Sequence, residues 1–540
     1  MRRVCTTVLA VFLIASLAAG CAPKAPGPAA PQPTQPAQPA PDQPRYGGTF
    51  IITLYADVTQ MVPFLSTDGA SHSVNTVIHS PLVGYRGNNV PTPILAKEWS
   101  FSEDGLTWTF KLREGVKWHD GVEFTAADVK YTYDLIMDPA TKSVRIGNFS
   151  PVTKVEAVDR YTIRITTKAP FAALIDKIAT QPIVAKHHVE KIGLDNYNRN
   201  PLGTGPFKFK EWIPDARIVL ERFEDYFEGR PYLDQLTYVV IPESSVRLMA
   251  LETGEAHYNW WGTPEEEIPR LLADPRFDVL QTLRTDFHFF GINHWHPFFK
   301  DVRVRQAFAY AIDKNAIVQN FAPYSGVVAH GPYSEGYGFY QNPNVPKFNY
   351  DPKKAAELLA AAGWVEKNRD GILVKDGKPF KIEAMLMQGE ERYRNVAILI
   401  QKWLRDIGID MSMREWEWSL MLDALTATRD NWDVTLVQFG ASPDPDHHLI
   451  FHSKGGFSLG NYYNPRVDEL LDAGRAVLDP AKRKMYYDEY QVIAAEDVAV
   501  LFLWHSISAL VVNSRFKGMT SEPAGQLQLI YKVWDSQAGR

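Results

Sequence analysis

The chain of 540 residues holds only two cysteines, Cys5 and Cys21, both within its first 21 positions. A disulfide inside the folded body is therefore excluded, and stability must come from buried apolar surface. A dominant charge of one sign is also missing. There are 57 Lys and Arg against 63 Asp and Glu, for a formal net charge of -6, and the basic residues are scattered. Without a basic patch, nucleic acid is not an expected partner. The apolar run from Val8 to Leu17 is too short to cross a bilayer core of ~30 Å, which takes about 20 residues as a helix. Familiar catalytic signatures are lacking too: no GxSxG elbow at a strand-to-helix turn is expected, and no HExxH pair occurs. A phosphate loop is ruled out, because Gly371 to Lys378 has the wrong spacing and runs into Pro379. No catalytic residue and no cofactor are assigned, and a secreted two-lobed hydrolase is kept as the alternative from a different class.

What is present is an ordinary globular composition, 45% hydrophobic and 22% charged, on a chain too long for one core, so two or three domains are expected. The aromatic supply is rich, with 14 Trp, 24 Tyr and 28 Phe. Such side chains fill large cores or wall apolar clefts.

Residues 1–21 pair Arg2 and Arg3 with a short apolar run and small residues, the pattern of a signal segment. Leu17-Ala18-Ala19-Gly20-Cys21 resembles the lipobox of bacterial lipoproteins, which implies a lipid on Cys21 that holds the chain at a membrane surface without spanning it. Residues 22–45 are Pro, Ala and Gln with almost no large apolar side chain, a composition expected to act as an extended tether.

The folded part opens at Tyr46-Gly47-Gly48-Thr49-Phe50 and a strand-like Ile51 to Tyr55. Leu95 to Trp99, an alternating strand from Leu106 to Leu112, and Gly115 to Gly121 follow. Thr125 is an expected N-cap with Asp128 at the third helical position. Pro201 to Phe207 contains Gly203 and Gly205, which read as a tight crossing where glycine permits angles closed to other residues. From His288 the chain reads as a strand ending near Asn293, then a long helix from Val302 with Val304, Ala307, Phe308 and Ala311 on one face. Asp351-Pro352 caps a helix over 353–362. The strand 381–387, the helix 392–407 and the strand 409–414 make a βαβ unit whose strand ends, near Gln388, Arg392, Trp416 and Trp418, are where ligands sit in open sheets. Trp432 to Gln438 is a third such strand. Residues 500–504 and 507–512 read as two further strands.

The run Trp118 to Val129, together with Asn293, Asp301 to Ala307 and Ala311 to Lys314, resembles the ABC-transporter solute-binding proteins of the peptide, nickel and oligosaccharide class. The resemblance covers residues 46–540. It implies an α/β, two-lobed periplasmic-binding-protein fold of type II, with an extra small domain inserted in lobe I and a cleft that closes on its ligand by hinge motion. The implied division is lobe I over 46–85, 201–286 and 501–540, the inserted domain over 86–200, and lobe II over 287–500. It also implies a solute captured outside the cytoplasm and handed to ABC permease subunits by a monomer that catalyses nothing.

Candidate ligand-facing residues are Trp260, Trp261, Asn293, Gln388, Arg392, Trp416, Trp418, Phe439, Ala441, Asp444, Tyr462 and Trp504. Two adjacent tryptophans on a strand point to opposite sides, so one of Trp260 and Trp261 is expected at the cleft. Members that hold a peptide's amino group place an Asp where this chain has Ala441, and dipeptide binders place an Arg where it has Met387 to Gly389. A buried terminus without a partner costs several kcal/mol, so a longer peptide gripped through its backbone is the expected ligand. Oligosaccharide is the alternative and nickel the third. His288, His294 and His296, and Asp444, Asp446, His447 and His448, are the two metal-like clusters; both read as packing and turn residues, and no metal ligand is assigned.

Overall fold

The computed structural model describes residues 43–539 other than 88, 261, 262, 429, 430, 441, 458, 522–526 and 528. Residues 1–42, with Cys21 and most of the tether, lie outside the described residues.

One strand organises the body. Leu501–Asn513 runs unbroken for 13 residues, where the sequence pattern predicts two. The polar pair His505-Ser506 does not interrupt it, because the backbone there stays hydrogen-bonded: Ser506 N–H donates to Asp286 Oδ1 at 3.1 Å, and Ile507 N–H to the Ser325 carbonyl at 2.8 Å. Its two longest antiparallel partners come in succession from one stretch, Phe277–Leu283 against the C-terminal half and Phe287–Ile292 against the N-terminal half, while Tyr258–Asn259 and Gly326–Val328 pair with it over shorter lengths. Both lobes therefore share one sheet of 12 strands. On the lobe II side its order is Asp410–Trp416, Lys381–Met387, Val434–Phe439, Phe287–Ile292; beyond the shared strand, lobe I continues with Tyr258–Asn259, Thr49–Leu54, Gln235–Val240, Arg217–Arg222 and Phe207–Ile213. Lys381–Met387 pairs in parallel with Asp410–Trp416, as the helix Glu391–Asp406 between them requires.

Between residues 86 and 200 a separate four-stranded antiparallel sheet forms from Ala96–Phe101, Thr107–Leu112, Thr162–Thr167 and Val152–Asp159. The helix Ala126–Met137 covers it, opened by a capping box in which Thr125 N–H donates to Asp128 Oδ2 at 2.8 Å. Trp118, Tyr133 and Phe110 fill this core, which also takes in Val62, Phe64 and Leu82 to Tyr85 ahead of residue 86.

Two local readings change. The long helix expected after Val302 is two helices, Val302–Ala311 and Lys314–Phe321, with Ile312 extended between them. Asp313 accepts from Ala316 N–H at 3.0 Å and caps the second, which ends the first. At the crossing, Gly203 and Gly205 do not have positive φ; they are glycines for space. A Cβ on Gly203 would lie 1.8 Å from the Ile78 carbonyl oxygen, and one on Gly205 2.4 Å from that of Val77. His119 closes the same crossing. Its Nδ1 accepts from Gly203 N–H at 3.2 Å and its Nε2 donates to the Gly205 carbonyl at 3.0 Å. Burial keeps this imidazole neutral, with its pKa down to about 4.

Gly203→Ala therefore forces the two backbones apart. A loss of about 3 kcal/mol in equilibrium urea unfolding is expected, and a loss below about 1 kcal/mol would show that the crossing yields.

Candidate functional site

Where the shared strand passes between lobes, its middle residues Ser506 to Leu510 are only partly buried, while both ends are covered. They floor a chamber of about 650 Å³. Asn259, Trp260 and Glu265 wall it from lobe I, and Arg392, Gln438 and Ser325 from lobe II. A second chamber of about 900 Å³ lies between the inserted domain, through Phe171 and Lys177, and lobe II, through Phe439, Ser442, Asp446 and Arg475. Both border the end of the strand Val434–Phe439, where Gln438 lines the first and Phe439 the second. Alternation along a strand sends neighbouring side chains to opposite faces, so one strand end serves both chambers.

The buried charges of these walls are already matched. Arg284 Nε donates to Asp286 Oδ2 at 3.0 Å, and Gln438 Nε2 donates to the same oxygen at 2.8 Å. Lys177 lies 2.9 Å from Asp176 and donates to Ser442 Oγ at 3.1 Å. Burial alone would lower the Lys177 pKa, but the neighbouring Asp176 carboxylate outweighs it and holds the ammonium protonated. Arg475 Nε donates to Asp446 Oδ2 at 2.8 Å. Across the mouth of the first chamber Arg392 Nη2 reaches Glu265 Oε2 at 3.1 Å, and Glu265 Oε1 accepts from Ser325 N–H at 3.2 Å. Lobe I and lobe II are thus tied at the rim by a half-exposed ion pair.

Of the candidates, Trp260 and Arg392 line the first chamber and Phe439 the second. Trp261 and Ala441 lie outside the described residues. Gln388 and Trp418 are exposed, and Trp416 packs against the lobe II core with Arg414 over its ring; none of the three lines either chamber. Four others face inward. Asn293 is 1% exposed and donates to the Trp432 carbonyl at 2.8 Å. Tyr462 donates to Asp497 Oδ2 at 2.7 Å inside lobe II. Trp504 is fully buried and stacks on His288 at 4.1 Å. Asp444 is held bidentately by Arg483, both bonds 2.7 Å. Burial pushes the Asp444 carboxyl up, yet the guanidinium charge prevails and keeps it ionised. Asn293, Tyr462 and Asp444 have their polar groups engaged by the protein interior, and Trp504 is packed in the lobe II core, which is why none of the four serves the cleft. Glu265, Asp286, Lys177 and Arg475 are not among the candidates, and Asp446 enters only in the second metal-like cluster. No local pattern marks the first four: Lys177 and Arg475 sit within helical segments, Glu265 opens a 3-10 turn and Asp286 lies between two strands, and each reaches the chambers only through the packing of separate segments.

The histidines of the first cluster point to different partners. His288 Nδ1 bonds the Tyr393 hydroxyl at 2.8 Å, His294 Nε2 the Ala499 carbonyl at 3.1 Å, and His296 lies 3.5 Å from Asp433. In the second cluster His447 joins the Tyr337 hydroxyl at 2.9 Å, while His448 turns away toward His452 and Asp472. The letters GxSxG do occur, at Gly456 to Gly460. Ser458, the serine of the motif, lies outside the described residues; the described flanks are a turn at Gly456-Phe457 with no strand before it and a single 3-10 turn, Leu459–Asn461, which do not make the strand-to-helix elbow of a nucleophile.

A two-lobed α/β body with chambers between its lobes has the architecture of a type II periplasmic binding protein. The sequence profile of bacterial extracellular solute-binding proteins, family 5 (middle), matches residues 90–458. The oligopeptide-binding protein AppA of Bacillus subtilis is 31% identical over 506 residues, covering 91% of this chain and 92% of its own. The structure of that protein in complex with a nonapeptide aligns with a TM-score of 0.72 at 30% identity, covering 91% of this chain and 100% of its own. NikZ from Campylobacter jejuni in complex with Ni(L-His) aligns with a TM-score of 0.73 at 28% identity, covering 90% and 99%. The chain belongs to the family 5 bacterial extracellular solute-binding proteins. Among the described residues, no helix is long and apolar enough to cross a membrane.

Breaking the Asp444–Arg483 pair leaves one charge buried alone. Asp444→Asn is expected to cost about 3–5 kcal/mol in denaturant unfolding, with much of it regained when Arg483→Met is added. A single variant as stable as the parent would show that the pair is not held in the interior as described.

Proposed function

We propose that this protein is an extracytoplasmic, lipid-anchored binding protein that captures oligopeptides between its lobes and delivers them to the membrane subunits of an ABC importer. The observation that carries the ligand class is the charge pairing of the chamber walls. Arg284, Lys177 and Arg475 each already bond a carboxylate, so no buried ionised group among the described lining residues is left to seize a ligand's free terminus. A dipeptide needs such a partner, because both its charges enter the site. A longer peptide keeps its termini toward solvent and is held through backbone hydrogen bonds and apolar contacts, for which Trp260, Phe171 and Phe439 are placed. The room agrees, since each chamber alone matches the volume of a drug-sized ligand. The resemblance to an oligopeptide-binding relative and to its nonapeptide complex supports the same reading.

A protein that binds and releases its solute unchanged needs no catalytic constellation, and none is proposed here. The ion pair Arg392–Glu265 joins the lobes at the rim and would form each time the cleft closes. Half-exposed pairs of this kind are worth about 0.2–1 kcal/mol, weak enough to break on release.

Thermal shift of the mature chain against peptide pools, cello- and xylo-oligosaccharides and nickel tests the ligand class. A peptide at 100 times its Kd should add about 2.7 kcal/mol of stability; a response to a sugar or to nickel with none to peptides would reject the peptide assignment. For the anchor, mass spectrometry of protein extracted from membranes should find a diacylglyceryl group on the Cys21 sulfur. An unmodified Cys21, or cleavage elsewhere, would remove the lipid from the proposal.

A further inference from the structure

His452 follows directly on the short helix His448–Phe451, so the two histidines stand four residues apart on one face. Their imidazoles stack at 4.0 Å with 15° between the planes. Both turn Nε2 toward Asp472 of the helix Pro465–Ala476: His448 Nε2 lies 3.4 Å from Oδ1 and His452 Nε2 lies 3.5 Å from Oδ2. All three donor atoms fall within 4.8 Å of one another.

We propose that His448, His452 and Asp472 bind one divalent transition-metal ion of the zinc class. The spacing is the first argument. At 3.4 and 3.5 Å the nitrogen–oxygen distances exceed the usual 2.7–3.2 Å of a hydrogen bond, so the three groups converge without satisfying one another. Bonds of about 2.0–2.1 Å to a tetrahedral ion put its ligand atoms about 3.3 Å apart; the two nitrogen–oxygen distances are near that value, and the set of three lies within 4.8 Å, a small side-chain adjustment from it. The donor chemistry is the second. Two imidazoles and one carboxylate suit zinc and its neighbours, whereas magnesium and calcium prefer oxygen alone.

Charges of both signs surround the site: Asp446 and Asp472 favour a positive charge at His448 and Arg475 opposes it. Asp468 Oδ1 lies 3.9 Å from His452 Nδ1, and the nearby Arg475 is engaged by Asp446 at 2.8 Å. Access is provided as well: the His452 side chain is 4% exposed, that of His448 17% and that of Asp472 65%. Protein thus covers the site on the histidine side and leaves a fourth position to water. Without metal, His452 Nδ1 accepts from Lys454 N–H at 2.9 Å, which puts the ring proton on Nε2. Metal binding at Nε2 releases that proton to solvent and moves the tautomer, so Nδ1 takes up a proton from solvent. The Lys454 N–H bond to Nδ1 then breaks, and Asp468 Oδ1, 3.9 Å away, has to close in to accept from Nδ1, the carboxylate–histidine–metal arrangement.

The site would fasten the segment that carries Asp446 and His447 to the helix bearing Asp472. Asp446, His447 and Asp472 all line the second chamber, so the ion would sit at its rim and stiffen one wall. It requires nothing of the peptide assignment and would stand if that failed.

Chelator-treated mature protein titrated with ZnCl2 by calorimetry should bind one ion per chain. CoCl2 in its place should give the intense visible absorption of a tetrahedral site. His448→Ala and Asp472→Asn, both at partly or well exposed positions, should each weaken zinc binding at least tenfold and abolish the cobalt band, with far-UV circular dichroism unchanged. Zinc bound equally well by the double variant, a cobalt spectrum of octahedral intensity, or no stoichiometric binding by the parent would each overturn the proposal.

Discussion

The antiparallel pairing of Leu501–Asn513 with Phe277–Leu283 and Phe287–Ile292 is the constraint on which the other features depend. Two segments far apart in sequence cross between the lobes side by side, and their ladder runs through the crossing. The ends of the long strand are clamped in the two lobe cores, through Trp504 and Leu503 on one side and Val512 on the other. Its middle residues, Ser506 to Leu510, lack that cover. Any change in the width of the cleft has to be absorbed in this stretch and in Arg284-Thr285-Asp286 beside it. There Asp286 holds the backbone by accepting from Ser506 N–H, so the crossing bends as a hydrogen-bonded ribbon rather than as a loose loop. The same stretch is the floor of the first chamber, so the ligand-sized space lies directly on the segment that joins the lobes.

Charge is handled in one way throughout the region. Asp444 with Arg483, Asp446 with Arg475, Asp176 with Lys177 and Asp286 with Arg284 are all internal pairs. Buried pairs of this sort add little net stability compared with apolar packing, but losing one partner is expensive. Their effect is on geometry: Asp444 is held against the helix Pro480–Glu496, and among the described lining residues no buried charge is left unpaired.

Much of the fold could be read from residue patterns, and the failures have identifiable causes. The strand Lys381–Met387 has the bounds expected from its sequence pattern and flanking turn residues. The helix after Val302 was overextended because its apolar spacing continues past Asp313, while the cap at Asp313 is a single hydrogen bond. The glycines at 203 and 205 announced a tight place but not its nature, since close approach and positive φ both select glycine. For the cleft, strand ends pointed to Trp260, Arg392 and Phe439. The same logic pointed equally to Tyr462 and Trp504, which turned out to be interior. An aromatic side chain at a strand end looks alike in either setting; periodicity separates two faces and says nothing of which one another layer covers.

Sequence alone pointed to the family, through ordered motifs between Tyr46 and Lys314, and it excluded a disulfide within the folded body and set the alternation of strands and helices. Those properties are local or collinear: they depend on residue type, spacing and order, which the chain states directly. Tertiary structure decided which side chains meet. It set Glu265 against Arg392 across 127 positions and Lys177 against Ser442 across 265. It also parted His447 from His448 and gave the latter to His452 and Asp472. The physical reason is that these meetings follow from how layers stack and twist on the shared strand, and stacking is fixed by the summed packing of several distant segments at once.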